Sequence, residues 1–234
     1  MIENYATNQP LNYSTQLQYL NALNKIPGVG SQKIKILLDF FGESEKIWRA
    51  TPTELKTSGI GEKLVEKIFS CRTSINPEVE WEKIMRYNIR IITLKDNDYP
   101  KLLKEIHNPP YLLYARGQLS ALTYPMISIV GSRKYTSYGS QVASALAKDL
   151  INAGFTVVSG MAIGIDTLAH RATLDAGGKT IAILGSSIDD PHIYPRINFN
   201  LSQEIITNGC LLSDYPVETP ALATNFPARN RIIA

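Results

Sequence analysis

The sequence predicts an α/β protein in which a small all-α domain precedes a mostly parallel, doubly wound sheet. Three observations carry this. From Met126 onward, four short apolar runs alternate with helical patterns at the spacing of parallel strands joined by helical crossovers. Residues 17–70 instead repeat a helix, a Gly-hydrophobic-Gly turn and a second helix. The chain of 234 residues, 44% hydrophobic and 19% charged, is long enough for one large core or two ordinary ones, which excludes disorder and collagen-like repeats. The boundary falls at 80/81, giving domains 1–80 and 81–234.

In the first domain, Ile26-Pro27-Gly28-Val29-Gly30-Ser31-Gln32-Lys33 leads into Ile34, Ile36, Leu37, Leu38 and Phe41 at helical spacing. The second copy, Thr57-Ser58-Gly59-Ile60-Gly61-Glu62-Lys63, leads into Leu64, Val65, Ile68 and Phe69. Such turns let a phosphate approach the backbone at a helix N-terminus, and the pair resembles the helix-hairpin-helix (SAM-like) units of DNA-associated proteins. Glu62 would repel a phosphate at the second copy. Two readings stand for this pair: a DNA contact, or a scaffold that docks a partner.

Residues 74–90 form a junction and a helix. Ile89–Leu94 reads as a strand, Asp98–Ile106 as a short helix and Tyr111–Ala115 as a second strand, started after Asn108-Pro109-Pro110 because proline cannot continue a helix. Met126–Val130 reads as a buried strand. The helix from about Tyr138 to Gly154 carries Val142, Leu146 and Leu150 on one face. Further strands are Phe155–Ser159, Thr180–Leu184 and Cys210–Ser213, and the intervening helices stop at Gly177-Gly178 and near Gly209.

Charge narrows the function. The net charge is +3, with nine basic and nine acidic residues over 1–80, seven and four over 81–122, and eight of each over 123–234. Nucleic acid must therefore be held by a few placed cations and backbone donors, not by a bulk field. The amino-terminus has no basic-then-apolar leader, and no apolar run approaches the ~20 residues of a membrane span, so a cytoplasmic, non-membrane protein is expected. Cys71 and Cys210 match no CxxC pattern and read as two buried thiols.

In a doubly wound sheet, ligands bind beyond the carboxyl ends of the strands. The four exits here are Gly131-Ser132-Arg133, Gly160 to Asp166, Gly185-Ser186-Ser187 and Asp214-Tyr215-Pro216, and Arg196 stands beside them. Glycine N–H groups and forked guanidinium groups point to a phosphorylated ligand. The first exit lacks the GxGxxG spacing, which argues against a dinucleotide cofactor. No GxSxG elbow exists, His170 reads as a packed helix residue, Asp166 as a helix cap, and Asp189-Asp190 as a polar loop. No catalytic residue, cofactor or metal is expected.

Five ordered motifs then resemble the DprA/Smf family. They are Gly131-Ser132-Arg133; Ser159–Asp166 with Ala169-His170; Tyr194-Pro195-Arg196-Ile197-Asn198; Leu212–Pro216; and Phe226–Ala234, with Asp98-Tyr99-Pro100 and Pro109–Tyr114 upstream. The resemblance implies a Rossmann-like sheet behind a helix-hairpin-helix domain. It further implies a single-stranded DNA binder, not an enzyme, that protects incoming DNA and loads the RecA recombinase as a homodimer in natural transformation. By position it implies DNA contacts from Gly131, Ser132, Arg133 and Gly160, from Arg196, Asn198 and Phe199 opposite, and from Arg229, Asn230 and Arg231. Phe199 offers a ring to a base, or else packs in the core.

The chain departs from the family's pattern at Ser187, at the longer stretch between Asp189 and Tyr194, and at Glu218, where the family has glycine. It also stops at Ala234, just inside a helix, where the family continues. The competing reading is a phosphoribohydrolase of nucleoside monophosphates on a similar sheet; its PGGxGTxxE string is not found here. A purely structural adaptor is the third.

Overall fold

The computed structural model describes residues 11–234, so the amino-terminal stretch used in the leader argument lies outside the described residues. The chain divides into two compact units, Met1–Met85 and Arg86–Ala234.

In the first unit the described helices are α1 (Leu11–Asn24), α2 (Ser31–Phe41), α3 (Ser44–Arg49), α4 (Pro52–Thr57), α5 (Glu62–Cys71) and α6 (Pro77–Arg86). The repeat is real in three dimensions: α1-turn-α2 and α4-turn-α5 are its two copies, and the hydrophobic residue of each turn, Val29 or Ile60, is buried. Leu23, Ile34, Leu37, Ile47, Leu55, Ile68 and Ile84 fill the core at helical spacing. Thr51 and Glu54 form a reciprocal capping box at the start of α4, and Pro52 occupies its first turn. Glu62 at the start of α5 pairs with Lys56 at 2.6 Å. Cys71 is half-buried rather than buried, because α5 ends there.

The second unit is a six-stranded sheet in the order β1-β2-β6-β5-β4-β3. The strands are β1 (Arg90–Thr93), β2 (Leu112–Gly117), β3 (Met126–Ser128), β4 (Thr156–Ser159), β5 (Thr180–Ile183) and β6 (Cys210–Ser213). β3 to β6 are parallel, with Met126 opposite Thr156, Val157 opposite Thr180 and Ile181 opposite Cys210. β2 adds antiparallel to β6, and β1 antiparallel to β2. Helices α7 (Lys101–Lys104), α8 (Ser137–Asn152), α9 (Ile165–Asp175), α10 (Phe199–Asn208) and α11 (Asn225–Ile233) complete the unit.

Side chains alternate across the sheet. Val158, Ile181, Ile183 and Leu212 pack with Ile92, Leu113, Ile232 and Ile233, while the neighbouring Val157 joins Ala143, Ala147, Ile165 and Ala169 under α8 and α9. Cys210 is buried in the first of these clusters, and burial pushes its thiol up to about 12.

One expectation is corrected here, and the covered face of α8 is assigned. Met126–Val130 is not a buried strand: β3 is the sheet edge, Met126 and Ile127 are half-covered, and Val130 is exposed. α8 does not bury Val142 and Leu146; both face outward, and Ala143 and Ala147 pack inward. Small residues let α8 lie close against α9, where Ala169 is equally buried.

Candidate functional site

The carboxyl ends of β3, β4, β5 and β6 open on one rim, as parallel strands require. Below the rim lies a buried floor. Asp166, in the first turn of α9, does not cap its own helix; its Oδ2 turns back to accept the Gly160 N–H at 3.1 Å and the Ala162 N–H at 3.4 Å. The Gly131 N–H also bonds this carboxylate. Burial pushes the carboxyl up, and these N–H groups and the nearby Arg229 guanidinium oppose that shift.

Arg229 is only 5% exposed and donates to the carbonyls of Gly160, at 2.8 Å, and Ile183. These two buried side chains, each bonded to backbone groups, thus tie together the exits of β3, β4 and β5. A Cβ on Gly160 would lie 2.8 Å from both Arg229 Nη2 and Asp166 Oδ2, so the residue must be glycine for the pair to sit there.

The rim is assembled on this floor. Gly164 has φ +102, and a Cβ there would lie 2.3 Å from the Ser132 carbonyl, so glycine lets the β4 exit rest on the β3 exit. The Ile165 N–H donates to that same carbonyl at 3.2 Å. Ser132 Oγ donates to the Lys134 carbonyl at 2.6 Å and accepts the Lys134 N–H, which closes the β3 loop on itself. Arg133 and Lys134 stand exposed on this loop.

Across the rim, the β5 exit bends at a cis Tyr194-Pro195 bond. Arg196 is exposed, donates to the Asp190 carbonyl at 2.8 Å and lies 4.1 Å above the centre of the Phe199 ring, itself half-buried at the start of α10. This loop is firmly braced. Asp189 is buried, with Oδ2 2.5 Å from His192 Nδ1 and Oδ1 accepting the Glu218 N–H at 3.2 Å. Burial works to raise the Asp189 carboxyl, but hydrogen bonds from Ser187, His192 and Glu218 outweigh it and hold the group below its ordinary value. Glu218 itself stands at φ +71, the left-handed conformation that suits glycine.

The ten residues singled out from the sequence therefore separate. Gly131, Ser132, Arg133, Arg196 and Asn230 are exposed, and Phe199 is partly so. Gly160 and Arg229 belong to the floor. Asn198 is buried with its amide donating to the Met161 carbonyl at 2.9 Å and Thr167 Oγ1 at 2.8 Å, so it braces two loops and presents nothing outward. Arg231 pairs with Asp214 at 2.6 Å and donates to the Asn108 carbonyl at 2.9 Å. Gly160, Asn198 and Arg229 are thus buried struts rather than surface groups, while Arg231 is partly exposed but already paired.

A signal for Arg229 was present. It lies four residues after Asn225 and three and four before Ile232 and Ile233, which is the buried face of α11. The sequence reading also missed Lys134, exposed beside Arg133, and Met161, buried at φ +59 where the β4 exit turns. Lys134 was legible as a second cation in a strand-exit loop; no local pattern marks Met161. Among the described residues, no cluster of three or more His, Cys, Asp or Glu could hold a metal ion, and no helix is long and apolar enough to cross a membrane.

A doubly wound sheet with glycine-bearing strand exits, a buried floor of Asp166 and Arg229 and exposed arginines at its rim defines a Rossmann-like protein. The chain belongs to the DNA recombination-mediator protein A family, whose model matches residues 90–234. It is 40% identical over 226 residues to Protein Smf of Synechocystis sp., covering 94% of this chain and 56% of that protein. The X-ray structure of DNA processing protein A from Streptococcus pneumoniae superposes with a TM-score of 0.77 at 30% identity, covering 92% of this chain and 74% of that one. The Helicobacter pylori DNA processing protein A, whose structure is described for a single-stranded DNA binding mode, matches with a TM-score of 0.56 at 34% identity over 63% of this chain and 65% of its own. The chain spans 49% to 66% of the length of three curated relatives named Smf or DprA.

Proposed function

We propose that this chain binds single-stranded DNA across the carboxyl rim of its sheet. One observation carries the reading: Arg133 and Arg196, on the exits of β3 and β5, are exposed and make no ion pair among the described residues, whereas Arg229 is buried on backbone carbonyls and Arg231 is paired with Asp214. Arg133, Lys134 and Arg196 neutralise phosphates, the loop N–H groups bond their oxygens, and the Arg196-Phe199 stack offers a face to a base. Protection of incoming strands and their handover to a RecA-type recombinase by a homodimer rest on family membership alone.

The test is a titration of labelled oligo-dT over a range of salt, with AMP hydrolysis followed in parallel. A few cations give a shallow dependence, with a slope of about −0.7 per phosphate and roughly two to four phosphates contacted. Turnover of AMP without oligo-dT binding would overturn the reading in favour of the phosphoribohydrolase.

A further inference from the structure

The rim carries apolar surface that phosphate binding does not use. Ile197 is 79% exposed, Ile163 52% and Tyr194 51%. Single exposed apolar side chains are ordinary on a protein surface. These three differ in being held on braced backbone around the cations. Ile197 lies in the turn between Pro195 and Asn198, closed by the Asn198 N–H on the Pro195 carbonyl at 2.9 Å. The Asn198 amide reaches the Met161 carbonyl, two residues before Ile163, so the two isoleucine loops are fastened together. Tyr194 rests on Phe226 with ring centres 5.6 Å apart, and Arg196 is anchored between Tyr194 and Ile197 in sequence.

We infer that Ile163 and Ile197, with Tyr194, form a platform for the unpaired bases of the strand whose phosphates the arginines hold. This rests on the proposed single-strand binding and adds which part of the ligand is read. Base faces are apolar and available only in a single strand, since duplex stacking hides them. Aliphatic side chains offer no hydrogen-bond pattern, so the platform accepts any base and discriminates single strand from duplex rather than sequence from sequence. A polar or charged partner would gain nothing from two presented isoleucines, and neutral peptide would gain nothing from the cations around them.

The test uses the full chain and the variants Ile163→Ser, Ile197→Ser and the double variant, each checked for an unchanged melting curve. Three probes are titrated: oligo-dT, an abasic sugar-phosphate oligomer of equal length, and a duplex. The double variant should bind oligo-dT about tenfold or more weakly, with its abasic affinity and salt slope kept, in line with the worth of base contacts to single-strand binders. Wild-type oligo-dT affinity in the folded double variant, or an equal loss on the abasic oligomer, overturns the platform while leaving the phosphate site standing. If that variant keeps its oligo-dT affinity but loses self-association in sedimentation, the platform is again overturned and the patch belongs to a second copy of the chain. Absence of oligo-dT binding by the wild-type chain removes the proposed function and the platform together.

Discussion

Two pairs of arginines stand within the same sheet unit and do opposite work. Arg229 and Arg231, on α11, reach inward to carbonyls and to Asp214, with Asp166 beside Arg229. Arg133 and Arg196, on strand-exit loops, reach outward with no carboxylate to meet them among the described residues. The same chemical group is a strut where backbone carbonyls surround it and, on the proposed function, a phosphate contact where solvent does. The difference lies in which groups the fold leaves unsatisfied, and it makes separate predictions for stability and for binding.

The largest effect is expected at the floor. Arg229→Ala strips the buried Gly160 and Ile183 carbonyls of a donor and removes the positive charge near the buried Asp166, at a cost of roughly 2–4 kcal/mol. Urea unfolding should show the loss as a lower midpoint. A change within about 0.5 kcal/mol, the size of an ordinary surface substitution, would mean that the floor is no brace.

Acid should act on the same floor. His170 is fully buried; Thr180 Oγ1 donates to the Val157 carbonyl at 2.8 Å and therefore accepts from His170 Nδ1, 2.7 Å away. Burial first, and the Arg229 charge second, pull the imidazole down to about 3 from an ordinary 6.5. Between those two values the folded chain binds fewer protons than the unfolded one, so stability falls as pH drops through that window, by on the order of 1 kcal/mol per pH unit. His170→Asn should flatten the curve of unfolding free energy against pH between 6.5 and 4, the upper part of the window. An unchanged slope would assign the acid sensitivity to the carboxylates instead.

The smallest effect belongs to the rim's backbone. Glu218 holds φ +71, which strains a side chain that glycine lacks. Glu218→Gly keeps the N–H that bonds Asp189 and should stabilise by about 1 kcal/mol or less after the added freedom of the unfolded chain is counted. A small rise in melting temperature checks it, and a fall would show that the Glu218 side chain contributes more than its strain costs.

Much of this was legible beforehand, for a physical reason. The parallel strands and their helices are punctuated by glycine and proline, so β4, β5 and β6 fall within about a residue of the expected runs. Direction and depth were not legible. Nothing local to Tyr111–Ala115 says that β2 adds antiparallel beside β6, because pairing partners are chosen across the fold. An apolar stripe such as Val142-Leu146 does not say which face of α8 is covered; the adjacent Ala143-Ala147 stripe wins because α9 approaches closely there. For the arginines, sequence supplied position at a strand end or on a helix, and the carbonyls of Gly160 and Ile183 decided that Arg229 turns inward.

The contrast between the two pairs is tested most directly on the chain carrying both Arg133→Ala and Arg196→Ala, with oligo-dT affinity and melting temperature measured on the same sample. Each substitution removes a charged hydrogen bond to phosphate worth roughly 1–3 kcal/mol of binding. Arg133 stands in solvent, and Arg196 gives up only its exposed bond to the Asp190 carbonyl and its contact with the Phe199 ring, so the melting temperature moves little. The account predicts a fall in affinity of at least about thirtyfold, the product of two such losses, at a nearly unchanged melting temperature. Wild-type affinity in the folded double variant, or a lowered melting temperature with affinity per folded molecule intact, would contradict it.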